Sequence, residues 1–137
     1  MMQEMKLNIV KSIPFLQSEG EQLISRMYEI LFQENPELKH MFNGDNSKKL
    51  AGALIAFAQN LERLEILQAA LNNMALIHVR AGVKPEHYDK VWNALHRAML
   101  EFGINDEIIK AWNDAYRFLA NILISKEQRL YACLKES

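Results

Sequence analysis

The sequence is poor in cysteine and in the residues that interrupt helices. Of its 137 residues, five are glycine, three are proline and one, Cys133, is cysteine. A single cysteine cannot form a disulfide within the chain, which favours a reducing compartment and an incidental thiol. No uncharged apolar run approaches the ~18 residues of a membrane-spanning helix, and no signal-peptide core occurs. We therefore expect a cytoplasmic protein with no membrane partner.

The sequence also lacks an excess of either charge. Sixteen Lys and Arg residues stand against seventeen Asp and Glu residues, so the formal net charge is −1. Sequence-independent binding of nucleic acid needs a basic face, and no Lys/Arg cluster is present. Nucleic acid is therefore not an expected partner. Half of the residues are apolar, and a chain of this length can bury a core, so residues 1–137 are predicted to form one domain.

Every long segment has helical periodicity, whereas strand-like alternation bounded by turns does not occur in the sequence. The expected helices cover about residues 3–17, 20–34, 47–61, 68–81, 85–102 and 105–132, with a short helical piece from Pro36 to about Phe42. Ser18-Glu19-Gly20 is the expected first break, and Gly82 and Gly103 are the expected later stops. The predicted fold class is all-α.

Three polar residues fall on the apolar faces of three successive predicted helices: His78, Tyr88 and Glu127. A histidine that binds a metal through one ring nitrogen normally donates the N–H of the other to a carboxylate or carbonyl. Glu127 is a candidate acceptor for His78, with Tyr88 as its support. Spacing alone leaves a second interpretation open: His78 bonds a backbone carbonyl, Tyr88 reaches solvent, and Glu127 pairs with Lys126 or Arg129.

The other histidines do not form a recognisable metal site. His40, His87 and His96 lack the spacing of a metal-binding helix, so a zinc site with several histidines is not predicted. The sequence also shows no Ser-His-Asp arrangement, phosphate loop or G-x-G-x-x-G motif.

The order of Tyr28, Pro36, Phe42, His78 and Tyr88, continued by Trp112 and Glu127, resembles that of bacterial haemoglobins. These are the single-domain globins and the globin domains of flavohaemoglobins. Four segments carry the resemblance: NPELKHMF, AFAQNLERL, ALIHVRAGVKPEHY and AWNDAYRFLANILISKEQRLY. It extends from about residue 7 to residue 131 and implies a globin fold of about six to seven helices around haem b, iron protoporphyrin IX.

On one side of the haem, the resemblance implies that His78 is the proximal ligand of the iron. Tyr88 and Glu127 match the hydrogen-bonding partners of that histidine, which give its imidazole imidazolate character. The residue before the proximal histidine is often Lys in flavohaemoglobins, whereas this sequence has Ile77.

On the distal side, Tyr28 matches the tyrosine whose hydroxyl points at the iron-bound ligand. Phe42 matches the phenylalanine that packs on the haem, and Leu50 the apolar residue over its distal face. Where the family commonly has Gln-Pro, this sequence has Asn46-Ser47 after a shorter loop. Asn46 is expected either to reach the ligand through its amide or to cap the helix.

The resemblance implies a haem protein that reversibly binds O2, NO and CO, in oxygen binding or transport or in protection from NO. The alternative is a nitric oxide dioxygenase, in which Tyr28, Tyr88 and Glu127 assist catalysis and an external reductase supplies electrons. A third interpretation is a haem-free helical regulatory domain, because any helical core has apolar stripes.

Overall fold

Helices form nearly all of the part of the chain that this computed structural model describes, residues 3–42 and 46–136. The α-helices are α1 (Gln3–Lys11), α2 (Ile13–Glu34), α3 (Ser47–Gln59), α4 (Gln68–Ala81), α5 (Pro85–Glu101) and α6 (Asp106–Glu136). Two 3₁₀ helices, Pro36–Met41 and Leu64–Leu67, lie on either side of α3. Within these described ranges no strand occurs, and the prediction of an all-α fold is confirmed.

The first helix break lies at Ser12, so the prediction of a break at Ser18-Glu19-Gly20 is wrong. Pro14 stands in the first turn of α2, where the missing backbone N–H of proline costs no helical hydrogen bond. The buried Ser12 hydroxyl donates to the Ile9 carbonyl at 2.6 Å and accepts from Trp112 Nε1 at 2.9 Å. Trp112 of α6 therefore holds the junction between α1 and α2.

Gly20 lies inside α2, where it serves helix packing instead of ending the helix. A Cβ atom built on Gly20 would lie 3.4 Å from the Cβ of Ala51 in α3. The two small residues let α2 and α3 pack closely, and α3 and α5 are the main neighbours of α2. The predicted stops at Gly82 and Gly103 are confirmed, because both adopt the left-handed backbone, with φ of 85° and 75°.

Two groups of buried apolar residues make up the core. The larger group is centred on α2, whose inward face is formed by Leu23, Ile24, Met27, Ile30 and Leu31. The smaller group joins α4 to α6 and to the start of α5 through Leu71, Ala75, Tyr88, Ala120 and Leu123. This smaller group borders the predicted proximal residues. None of the helices in the described part of the chain has the length and apolarity to span a bilayer.

Candidate functional site

The structure brings His78, Tyr88 and Glu127 together, although they come from α4, α5 and α6. His78 Nδ1 lies 2.8 Å from Glu127 Oε2 and 3.0 Å from the Tyr88 hydroxyl oxygen. The Tyr88 hydroxyl donates to the same Glu127 Oε2 at 2.7 Å. The three side chains therefore form a closed triangle, and the expectation that they meet is confirmed.

The donors of this triangle follow from the chemistry of its acceptor. An ionised carboxylate can only accept, so the short contact to Glu127 Oε2 assigns the hydrogen of the neutral imidazole to Nδ1. The lone pair of the ring is then on Nε2. Among residues 3–42 and 46–136, no hydrogen bond to His78 Nε2 is found. The arrangement presents one nitrogen lone pair, which is the donor that a metal ion requires.

The Glu127 and His78 side chains differ in burial. The Glu127 side chain is 4% exposed and the His78 side chain is 29% exposed. A buried carboxylate is costly without hydrogen-bond donors, and Tyr88 and His78 supply them. Lys126 does not serve this purpose, because its Nζ bonds Asn72 Oδ1 at 2.7 Å. Within residues 3–42 and 46–136, no ion pair joins Glu127 to Lys126 or Arg129, so the alternative pairing on α6 does not describe the site.

Tyr88 stays a donor over the whole physiological pH range. Burial raises the pKa of its hydroxyl far above the ordinary value of 10, and the hydrogen bond to Glu127 and the charge of that carboxylate raise it further. The Tyr88 backbone carbonyl accepts from the Tyr116 hydroxyl at 2.7 Å. This contact ties the start of α5 to α6, the helix that carries Glu127.

Tyr28 belongs to a separate aromatic group at the junction of α2 and the first 3₁₀ helix. Its ring stacks on Phe32 with centroids 5.7 Å apart and meets the edge of Phe42 at 5.3 Å. Phe32 also contacts Phe42 at 5.3 Å. Tyr28 and Phe42, two of the predicted distal residues, are therefore in contact. Sequence reasoning missed Phe32, although its position four residues after Tyr28 places it on the same helix face.

Asn46 and Leu50 lie at the start of α3. Asn46 is the N-cap residue, and its backbone carbonyl accepts from the Leu50 N–H at 2.9 Å. The Asn46 side chain makes no capping hydrogen bond. Asn46 therefore occupies the N-cap position, but its amide does not cap the helix. Leu50 is half-buried against the larger core.

The remaining histidines lie apart from the triangle. His40 is exposed in the first 3₁₀ helix. His87 Nδ1 accepts from the Lys84 backbone N–H at 2.9 Å at the start of α5. The His96 ring stacks on Trp92 with centroids 5.8 Å apart.

Known proteins resemble this chain over most of its length. The family model of the globins matches residues 25–123. An uncharacterized globin-like protein of Aquifex aeolicus is 42% identical over 96% of this chain and 99% of its own length. A flavohemoprotein of Bacillus cereus is 40% identical over 96% of this chain, which spans 35% of that longer protein.

Solved structures share the fold. A bacterial globin from Campylobacter jejuni is 36% identical, with a TM-score of 0.89 over 96% of this chain and 99% of that one. An engineered carbene transferase from Rhodothermus marinus, described as a candidate nitric oxide dioxygenase, is also 36% identical. Its TM-score is 0.93 over 98% of this chain and 99% of that one. Family model, relatives and structures agree, and the chain belongs to the globin family.

Proposed function

We propose that this globin binds haem b through His78 Nε2 and reversibly binds O2, NO and CO in the cytoplasm, with residues 1–137 forming one domain. The observation that carries the proposal is the hydrogen bond of 2.8 Å from His78 Nδ1 to Glu127, which leaves Nε2 without a partner among the described residues. A neutral imidazole of this kind is the usual axial ligand of haem iron in globins. Bound haem supplies an iron that takes up diatomic ligands and changes oxidation state.

Glu127 acts on His78, the proposed iron ligand, through its hydrogen bond to the imidazole. Its carboxylate accepts the Nδ1 hydrogen of His78, which increases the electron density of the ring and the basicity of Nε2. Tyr88 holds the carboxylate in place by donating to the same oxygen. In bound haem the ferric state would be favoured as a result, because a more basic ligand stabilises the more highly charged iron.

Tyr28 acts on the ligand from the distal side. The rings of Phe32 and Phe42 pack on two sides of the Tyr28 ring and fix its direction. The hydroxyl would then donate to a bound diatomic molecule, and half-buried Leu50 would help to exclude water. Asn46, whose amide does not cap α3, would offer a second donor.

Titration of the haem-free chain with hemin tests the proposal. We expect absorption in the visible region to saturate at about one haem per chain, with distinct ferric, ferrous and CO spectra. Haem that binds only to the folded chain also stabilises it, so thermal unfolding should move to higher temperature. A chain that stays colourless in excess hemin would contradict the proposal.

Nitric oxide dioxygenase activity is the second candidate, favoured by the likeness to the Rhodothermus marinus protein. It converts NO and O2 to nitrate, and a reductase must then return ferric iron to the ferrous state. Because this return needs an electron donor, we propose an external reductase as partner. Repeated nitrate formation from NO with an added reductase would support the enzyme, and a single slow event would support the ligand carrier.

Replacing Glu127 with glutamine should raise the midpoint potential of the haem iron. The amide keeps the shape of the side chain but turns a charge-assisted hydrogen bond into a neutral one, which is weaker by about 1 kcal/mol. For one electron this corresponds to roughly 40 mV. Spectroelectrochemical titration measures the shift, with Glu101→Gln on the exposed surface of α5 as the control. An unshifted potential would remove Glu127 from the proximal group.

A further inference from the structure

Polar side chains in the last turns of α6 contact α4 and the turn that follows it. Lys126 Nζ donates to Asn72 Oδ1 at 2.7 Å and to Gln68 Oε1 at 3.3 Å, near the start of α4. Glu127 accepts from His78 near the end of α4. Tyr131 lies beyond both and contacts the turn that follows α4. The proposed function uses the second contact only.

Tyr131 fixes the turn between α4 and α5 with two contacts. Its hydroxyl donates to the Val83 backbone carbonyl at 2.7 Å. Lys84 Nζ lies 4.0 Å from the centroid of the Tyr131 ring, a cation–π contact. Val83 in turn donates its backbone N–H to the carbonyl of His78 at 2.9 Å. Two hydrogen bonds in series therefore connect the Tyr131 hydroxyl with the backbone of His78.

Glu127 and Tyr131 contact the same part of the molecule because of their spacing on α6. Residues four apart on an α-helix lie on the same face, one turn from each other. Glu127 fixes the ring of His78, and Tyr131 fixes the turn onto which the backbone of His78 is bonded. The direction of an imidazole depends on its side-chain torsions and on its backbone, so Glu127 alone does not determine it.

The chemistry of Tyr131 suits a permanent contact. Partial burial and the charge of Glu127 raise the pKa of its hydroxyl above the ordinary value, so the group stays protonated and donates at physiological pH. Gly82, with a φ of 85°, starts the turn, and the Val83 carbonyl of this turn accepts from Tyr131 of α6.

We propose that Tyr131 is a positioning residue for His78, holding the turn 82–84 so that the imidazole keeps its direction toward the haem iron. The inference rests on the proposed function, since it concerns the direction of the iron ligand. Tyr131 touches neither haem nor ligand in this role, and it acts only through the backbone of the turn.

Tyr131→Phe tests the proposal, because phenylalanine keeps the ring under Lys84 and removes the hydroxyl. In the haem-free chain, we expect hydrogen exchange at the Val83 amide and at the His78 Nδ1–H to become roughly two- to ten-fold faster, as one lost hydrogen bond allows. NMR measures both. Lys126→Gln is the matched control, since it also weakens a contact between α6 and α4, but at the far end of α4.

The haem-loaded chain gives a second measurement. Resonance Raman spectra of the ferrous form should show a shifted or broadened iron–histidine stretching band in Tyr131→Phe and an unchanged band in Lys126→Gln. Unchanged exchange and an unchanged band in Tyr131→Phe, or equal changes in both variants, would overturn the proposal. If the wild type takes up no haem, the proposed function fails, whereas the exchange rates still decide whether Tyr131 holds His78.

Discussion

Replacing His78 with alanine should abolish haem uptake or weaken it by at least ~100-fold. The substitution removes His78 Nε2, which has no hydrogen-bond partner among the described residues, and even the loss of a residue that merely supports a metal ligand costs about 10- to 100-fold in affinity. It also leaves the Glu127 carboxylate, which is 4% exposed, with one donor instead of two. The hemin titration described above measures the change.

His96→Ala is the matched control for this variant. His96 lies on α5 and stacks on Trp92, away from the triangle, so haem uptake should remain normal. Circular dichroism of the haem-free chains shows whether both variants keep their helices. Normal haem loading in a folded His78→Ala chain would refute the assignment of His78 as the iron ligand.

Replacing Tyr28 with phenylalanine should speed the dissociation of O2 by about ten- to a hundred-fold. A hydrogen bond to a ligand that gains negative charge on binding contributes about 1.5 to 3 kcal/mol, and phenylalanine cannot donate it. The variant keeps the ring that stacks on Phe32 and meets the edge of Phe42. The shape of the aromatic group is therefore preserved, and the change reports on the hydroxyl.

Stopped-flow replacement of bound O2 by CO measures this rate. Dissociation of CO is the internal control, because bound CO carries little negative charge and should respond much less to the loss of a donor. An O2 dissociation rate that is unchanged or slower in Tyr28→Phe would show that the hydroxyl faces elsewhere.

The sequence predicts those helix boundaries that depend on local backbone preferences. Gly82 and Gly103 end helices because glycine adopts positive φ without steric cost. Pro85 opens α5 for an equally local reason. The break before α2 carries the same kind of local signal, Pro14 in the first turn of that helix, and the prediction of a break at Gly20 overlooks it. The contact that holds this junction is not local, because Trp112, which bonds the Ser12 hydroxyl, lies 100 residues later.

In the candidate site, too, the sequence predicts some residues and not others. His78, Tyr88 and Glu127 stand out because polar residues on apolar helix faces need partners, and here they partner one another. Phe32 looks like any apolar core residue in sequence, so its contact with Tyr28 was missed. Tyr131 was missed because its acceptor is a backbone carbonyl, which every residue has and no residue type reveals.

A single oxygen atom, Glu127 Oε2, accepts from both His78 and Tyr88. Two donors on one acceptor share its electron density, so each bond is weaker than it would be alone. Tyr88 therefore weakens the hydrogen bond between Glu127 and His78, while it holds the Glu127 carboxylate in place. The basicity of His78 Nε2 therefore depends on the hydrogen bond of Tyr88 as well as on that of Glu127.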